Sequence, residues 1–323
     1  MKSILLISCL IFSSHCIAQK QATTKYLVFD DMVNFWEAYD KMVLVSDSTQ
    51  QVELIQSLYI DKASYNLRLL LPLLHYTAKE YRANINEYPK FWEGLRERSR
   101  ILMGSHKDIA SALQRLKKIY HAIEIPDIDF MVGCFEFGGK PFMNDVMIAI
   151  EVALADGNFD ISKYRNNLKE FDSYTADAAI YFVIHEAIHT RQPDFNAKDL
   201  LTKSIMEGSC DFITELVIGK PLKRPYIVLG NNFEKKIWES FKKQMDSTAH
   251  EDWLYNKGFV VKGEEDLGYF VGYAICKYYY DHMENKKKAA RRIINLDFSK
   301  RAAVLKFFKE SGYENKFSES GMK

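Results

Sequence analysis

The sequence predicts an α+β protein that is predominantly helical, with a small sheet packed beside the two helices that carry the candidate site. Apolar residues recur at helical spacing over residues 30–123 and again in the final third of the chain, whereas strand-like runs are confined to residues 128–154. The 323 residues are 47% hydrophobic and 27% charged, which is ordinary for a globular protein with a sizeable core.

Residues 1–18 predict a secretory signal peptide. A lysine at the second position is followed by a short apolar run over residues 4–12, and the small residue Ala18 precedes a cleavage point before Gln19. We therefore expect an exported protein, periplasmic or extracellular, that is soluble after cleavage. A lipid anchor is the alternative, because residues 6–9 end in a cysteine in the manner of a lipoprotein cleavage box.

Charge and hydropathy argue against two kinds of partner. The chain carries 44 Lys and Arg against 43 Asp and Glu, with no long basic run, so it lacks the positive surface that nucleic-acid binders use. After the signal peptide, no apolar run is long enough to cross a bilayer. Three cysteines remain in the mature chain, and an odd, sparse set predicts buried free thiols rather than a disulfide framework.

Residues 19–123 predict a helical leading region. Aromatic residues such as Phe35, Trp36 and Tyr39 recur at helical spacing, and residues 107–123 show a clear amphipathic pattern. Pro126 then ends the helical pattern.

Residues 124–323 predict a catalytic region that forms one continuous globular unit with the leading region. Within it, residues 128–137 predict a strand that ends at a Gly-Gly pair, and residues 146–154 predict a second strand. After residue 175, apolar residues again recur at helical spacing.

The most informative segment is HEAIH at residues 185–189, which follows an apolar run that predicts a buried helix. Residues four apart on a helix lie about 40° apart in projection, so His185 and His189 face the same way and can bind one Zn²⁺ ion. Glu186 is rotated by about 100° from His185 and lies beside the metal, where it can accept a proton from the water that zinc activates.

A third ligand is predicted on the next helix, over about residues 197–217, which Gly219 closes. Glu207 lies 18 residues after His189, so the intervening loop allows the second helix to return across the first. Its carboxylate would complete a site of two histidines and one glutamate, which leaves a coordination position open for water, as in catalytic zinc sites.

One helical turn after the third ligand, Asp211 can accept the other ring N–H of a zinc-bound histidine and so fix its tautomer. Cys210 and Glu215 of the same helix are interpreted as residues without a role in the site. A different zinc pattern, in which a third histidine follows the motif closely, is excluded because the chain has Gln192 and Phe195 where glycine and histidine would be required.

At these residues the chain resembles the gluzincins, the thermolysin-like zinc peptidases with a glutamate third ligand. The segments that carry the resemblance are HEAIH and MEGSCD. The mature chain also resembles predicted zinc-dependent proteases of the domain-of-unknown-function kind in exported bacterial proteins, and it is similar in layout to gliding-motility lipoproteins of Bacteroidetes. That wider similarity rests on the segments FWEAYD, YPKFWEGLRE, FGGKPF and GYFVGY.

The resemblance implies two further sets of site residues. An edge strand upstream of the metal helix would align the substrate backbone, which assigns this role to Phe137, Gly138 and Gly139; an ordinary strand and turn is the alternative. A tyrosine would donate a hydrogen bond to the oxyanion, and Tyr269 and Tyr273 are the candidates.

The sequence therefore predicts a zinc metallopeptidase, a hydrolase that acts on peptide or protein substrates with Glu186 as general base. A non-catalytic, zinc-stabilised binding or assembly module of the cell envelope is the alternative. A third hypothesis is a metalloenzyme that hydrolyses a non-peptide bond such as an ester, because the motif specifies how water is activated but not what it attacks.

Overall fold

The computed structural model describes residues 26–155, 176–192, 198–256 and 266–317. The predicted signal peptide lies outside the described residues. Within them, helices dominate and strands form one small sheet, which confirms the predicted fold class.

The leading region consists of one short strand and a series of helices, several of which begin at a capping side chain. Asp47 accepts a hydrogen bond from the backbone N–H of Gln50, and Thr77 forms a reciprocal capping box with Glu80. The elements are β1 (Leu27–Val28), α1 (Asp30–Met42), α2 (Ser48–Ile55), a π-helix (Gln56–Ile60), α3 (Tyr65–Leu73), α4 (Ala78–Glu87), α5 (Pro89–Gly104) and α6 (His106–Ile119).

The sheet has four strands in the order β1, β2, β4, β3. The other three are β2 (Ile128–Met131), β3 (Gly139–Phe142) and β4 (Asp145–Ala149). Strands β1, β2 and β4 run parallel, and β3 pairs antiparallel with β4 as an edge strand. All four residues of β2 are buried, as expected of a central strand.

The predicted strand that ends at the Gly-Gly pair is corrected in its boundaries. Strand β2 stops at Met131, residues 132–138 are irregular, and Gly139 begins β3 rather than ending a strand. The irregular course has a physical cause: the backbone N–H groups of Gly133 and Phe135 donate to the carboxylate of Glu151 instead of to a neighbouring strand. The second predicted strand is confirmed over β4, after which the chain turns into a short helix, α7 (Ile150–Ala153).

Helices make up most of the described remainder. They are α8 (Ala176–His189), α9 (Leu200–Ile218), α10 (Pro225–Phe241), α11 (Leu267–His282), α12 (Lys286–Ile294), α13 (Arg301–Ser311) and a 3₁₀ turn (Tyr313–Asn315). Gly219 ends α9 in the left-handed conformation with φ of 79°, which confirms the predicted stop.

Helix α8 lies between the sheet and the other helices. It packs against β3 and β4 on one side and against α9 on the other. Its sequence is apolar almost all round, as a helix buried on several sides requires. The buried hydrophobic residues of the leading region and those of the described residues after 123 form one core cluster, so α8 is supported from both.

Helices α9 and α11 cross in backbone contact. A Cβ atom on Gly208 would lie 2.0 Å from the backbone N of Tyr273, and one on Gly272 would lie 1.7 Å from the carbonyl O of Ser204. Glycine is therefore required on both sides of the crossing. Because Glu207 directly precedes Gly208, this crossing determines where its carboxylate lies. Among the described helices, none is long and apolar enough to span a membrane.

Candidate metal centre

The three predicted ligands converge at the contact between α8 and α9. His185 Nε2 lies 3.0 Å from His189 Nε2, and Glu207 Oε2 lies 3.1 Å from His189 Nε2 and 3.4 Å from His185 Nε2. All three side chains are buried. We call these three atoms the ligand triangle.

The size of the ligand triangle can be compared with that of a zinc site. Bonds of about 2.0–2.1 Å in tetrahedral geometry separate neighbouring ligand atoms by about 3.3–3.4 Å. The three edges of the triangle, 3.0 to 3.4 Å, are close to this spacing. The donor set of two imidazoles and a carboxylate also suits Zn²⁺.

Asp211 orients the first histidine. It accepts a hydrogen bond of 2.9 Å from His185 Nδ1, which leaves Nε2 free to point into the triangle. Asp211 is fully buried and also accepts from the hydroxyls of Tyr181 at 2.7 Å and Tyr226 at 2.9 Å. The ring of Tyr181 in turn lies 4.5 Å from the guanidinium carbon of Arg224, a cation–π contact.

Gln192 orients the second histidine, and the sequence analysis did not identify it. Its side-chain Oε1 accepts from His189 Nδ1 at 2.7 Å, while its Nε2 donates to Ser209 Oγ at 2.9 Å. A glutamine three residues after the last motif histidine, at the end of a helix, is the one sequence signal for this role.

Tyr255 binds the predicted carboxylate ligand, and it too was missed. Its hydroxyl donates to Glu207 Oε1 at 2.6 Å, so that the other oxygen, Oε2, faces the imidazoles. The side chain is half exposed, and its backbone φ of 58° is unusual for a residue other than glycine. Because 48 residues separate Tyr255 from Glu207, no local pattern in the sequence could have linked them.

The predicted general base lies against the edge strand. A Cβ atom on Gly139 would come within 2.6 Å of Glu186 Cγ and 3.1 Å of its Oε1, and one on Gly138 would come within 2.6 Å of the Phe182 ring. Two predicted substrate-strand residues therefore border α8. Burial raises the pKa of Glu186, although the neighbouring His189 and His185 lower it.

The ionisable side chains of the ligand triangle shift one another's pKa. Burial alone would lower the pKa of His185, but hydrogen bonds with Asp211 and Glu207 raise it to about 10. Burial alone would raise the pKa of Glu207, but the two histidines hold it well below its usual range. The three side chains therefore form a site that attracts a cation, either a proton or a metal.

The two predicted oxyanion donors differ in position. The ring centroid of Tyr269 lies 6.4 Å from that of His185 and 6.0 Å from that of Tyr255, beside the triangle. The hydroxyl of Tyr273 instead donates to Glu215 Oε2 at 2.7 Å. The close crossing of α9 and α11 directs the Tyr273 side chain toward the later part of α9, and its predicted role stays a prediction.

Cys210 was interpreted as a residue without a role, yet it lies near the centre. The ligand atoms of His185, His189 and Cys210 all lie within 4.8 Å of one another, so these three residues could also hold a metal ion. The thiol accepts a hydrogen bond of 3.3 Å from Gln192 Nε2, which connects it to His189 through the glutamine. The cysteines of the described residues are free, as predicted: Cys134, Cys210 and Cys276.

Comparison with known proteins yields no relative: no protein-family model, no curated protein and no solved structure matches the chain. The resemblance to gluzincins therefore stays a prediction.

Proposed function

We propose that the chain is a zinc-dependent metallopeptidase. The ligand triangle carries the proposal: two imidazole nitrogens and one carboxylate oxygen, 3.0 to 3.4 Å apart, at the contact of two buried helices. Each of the three side chains also forms a hydrogen bond through the atom that does not face the triangle. Such bonds orient the ligands in catalytic zinc sites. The partners in these bonds are Asp211, Gln192 and Tyr255.

We take Glu207 rather than Cys210 as the third ligand. Glu207 Oε2 lies 3.1 Å from His189 Nε2, whereas the Cys210 thiol is already engaged by the Gln192 amide. A carboxylate also keeps zinc a stronger Lewis acid than a thiolate does, because it donates less charge to the ion.

The ligand triangle and Glu186 have different roles in the proposed hydrolysis. A zinc ion held by the triangle would supply the Lewis acidity that makes water easier to deprotonate. Glu186 accepts a proton from the water whose oxygen adds to the substrate carbonyl carbon. The C–N bond then breaks, and Glu186 passes that proton to the leaving amine. Its raised pKa makes Glu186 a stronger base than an ordinary carboxylate.

A tyrosine hydroxyl would stabilise the negative charge that develops on the carbonyl oxygen. Tyr255 and Tyr269 border the triangle, and their rings contact each other. Tyr269 is the better candidate, because Tyr255 already donates its single hydroxyl proton to Glu207 Oε1 at 2.6 Å, whereas the ring of Tyr269 lies beside that of His185.

The edge strand β3 supports a peptide as the substrate. Gly138 O accepts from Ala149 N at 3.1 Å, and hydrogen-bonded pairs alternate along an antiparallel ladder. By this alternation, the N–H and C=O of Gly139 and the C=O of Pro141 point away from β4. An extended peptide could pair with these groups directly beside Glu186.

The test combines metal analysis with digestion of a mixed peptide pool. We expect about one zinc per chain, cleavage that a chelator stops, and recovery when zinc is restored. Glu186→Gln should keep its zinc and lose cleavage, while the exposed control Glu53→Gln should behave as wild type. Undiminished cleavage by zinc-loaded Glu186→Gln would contradict the assignment of the base.

A non-catalytic, zinc-stabilised module is the second candidate, and the proximity of Cys210 favours it. A closed structural site would use His185, His189 and Cys210. In that case Cys210→Ser would reduce zinc affinity far more than Glu207→Gln, and the peptide pool would stay intact. The metallopeptidase proposal predicts the opposite order.

Export remains a proposal that rests on the sequence of residues 1–18. The substrate would then be a peptide or protein outside the cytoplasm. Fractionation of cells that express the full chain, with a variant that lacks these residues as control, tests the localisation.

A further inference from the structure

The β2–β3 loop, residues 132–138, brings the chain to the edge strand beside Glu186. We infer that Tyr59 and Tyr81 of the helical leading region, together with Glu151, act as positioning residues. They hold this loop and thereby fix the position of β3 relative to Glu186. We call these three side chains the loop clamp. The inference rests on the proposed function, because it assigns substrate alignment to β3.

Two tyrosines bind the first residue of the loop. The carbonyl oxygen of Val132 accepts from Tyr59 at 2.6 Å and from Tyr81 at 2.8 Å, and the N–H of Val132 donates back to the Tyr59 hydroxyl at 3.2 Å. Both tyrosines are fully buried, with ring centroids 5.3 Å apart. The point where the chain leaves β2 is therefore tied to the π-helix and to α4 of the leading region.

A buried carboxylate binds the next part of the loop. Glu151 has no exposed surface, and its two oxygens accept from Gly133 N at 2.9 Å and Phe135 N at 3.1 Å. A Cβ atom on Gly133 would lie 2.8 Å from Glu151 Oε1, so this close approach requires glycine. Buried side chains thus bind the loop backbone at three of its first four residues: Val132, Gly133 and Phe135.

Several of these features cost free energy. Burying a carboxylate is unfavourable unless it is fully hydrogen-bonded. Phe135 has a φ of 67°, in the left-handed region, and Tyr59 projects from a π-helix, which is uncommon. Hydrophobic packing alone would require neither the buried carboxylate, nor the left-handed residue, nor the π-helix. Their concentration around one seven-residue loop indicates that the exact course of this loop matters.

The loop leads directly to the candidate site. The ring centroid of Phe135 lies 5.2 Å from that of Phe91. The chain then reaches Gly138, which lies against the Phe182 ring, and Gly139, which lies against Glu186. A change in the course of the loop would move β3 relative to the base. The leading region would therefore be part of the structure that aligns the substrate.

Hydrogen exchange on the zinc-loaded full chain tests the clamp without reference to activity. In Tyr59→Phe/Tyr81→Phe and in Glu151→Gln, we expect the β3 amides that face β4, those of Lys140 and Phe142, to exchange about tenfold faster, because a buried hydrogen bond that restrains local opening is lost. Helix α8 should keep its protection. Tyr313→Phe removes another buried hydroxyl, which donates to Glu234 at 3.0 Å, and should leave β3 unchanged. Unchanged exchange of β3 in both clamp variants would overturn the inference.

Kinetics separate positioning from a loss of folding. For a peptide long enough to pair with β3, the clamp variants should raise KM about tenfold with kcat and zinc content retained, because binding to the strand is weakened uniformly. A small ester that does not reach β3 should be hydrolysed as by wild type. Equal losses with both substrates would show a general defect and reject a positioning role. If the wild-type chain cleaves no substrate, the proposed function fails, whereas the exchange experiment still decides whether the clamp holds the loop.

Discussion

The side chain of Glu186 lies directly against the backbone of Gly139, so that a Cβ atom at position 139 would come within 2.6 Å of Glu186 Cγ. The predicted base and the predicted substrate strand are therefore in contact. A glycine is required at this position because it leaves room for the carboxylate while the strand passes close to α8.

Gly139→Ala should displace Glu186 while leaving the ligand triangle in place. We expect zinc content to be unchanged and kcat to fall by at least about tenfold, since a misplaced base loses much of the rate that general-base catalysis supplies. Steady-state kinetics with metal analysis measures both. Gly104→Ala is the matched control, because a Cβ there would meet no atom within 4 Å. Full activity of Gly139→Ala would show that the close approach of this glycine does not control the position of Glu186.

Asp211→Asn should weaken metal binding. The substitution removes the charge that holds the Nδ1 proton of His185 and leaves the hydroxyls of Tyr181 and Tyr226 with a poorer acceptor. Loss of such an outer partner costs about 10–100-fold in metal affinity. Competition titration with a zinc-binding dye measures the dissociation constant. Asp281→Asn, which removes half of an exposed ion pair with Lys277, should not alter it.

Gly208→Ala should destabilise the whole chain, because its Cβ would lie 2.0 Å from the backbone N of Tyr273. Backbone atoms cannot move aside locally, so α9 and α11 must separate. We expect the free energy of unfolding to fall by about 3 kcal/mol or more. Urea unfolding followed by circular dichroism measures the change. A loss below about 1 kcal/mol would mean that the two helices do not cross as closely as described.

Asp129→Asn should stabilise the chain near neutral pH. Burial raises the pKa of Asp129 to about 6, although the hydrogen bond from Asn66 opposes this shift. The folded state therefore binds the proton more tightly than the unfolded state, whose carboxyl ionises near its ordinary value of 3.8. The stability that this group contributes is complete below about pH 4 and is lost as the pH rises through about 6.

An asparagine at position 129 stays neutral and can still accept from Asn66. At pH 7.5 we expect the free energy of unfolding of the variant to exceed that of wild type by about 1 kcal/mol. Near pH 4 the two free energies should converge. Urea unfolding at a series of pH values tests this. A difference that does not change with pH would show that Asp129 does not titrate in this range.

Much of the candidate site could be predicted from local patterns. The spacing of His185, Glu186 and His189 acts within about one turn of a helix, so helix geometry alone places the two imidazoles on one face. The apolar pattern of α9 and the Gly219 stop are equally local, and they placed Glu207 on a helix within reach of the first.

Other features depended on contacts between distant segments. Tyr255 reaches Glu207 from 48 residues away, and Tyr59 reaches Val132 from 73 residues away. The position of Tyr273 could not be derived from its four-residue spacing after Tyr269. It followed from the crossing of α9 and α11, which turned its hydroxyl toward Glu215.

By itself, then, the sequence determined the periodicity of the helices, their ends and the donor types that one helix face presents, because these depend on interactions between residues a few positions apart. The tertiary structure decided which faces meet, where β3 begins, and which buried polar groups support the site. Those outcomes depend on side-chain packing and on the need of every buried polar group for a partner, and the partner can come from any part of the chain.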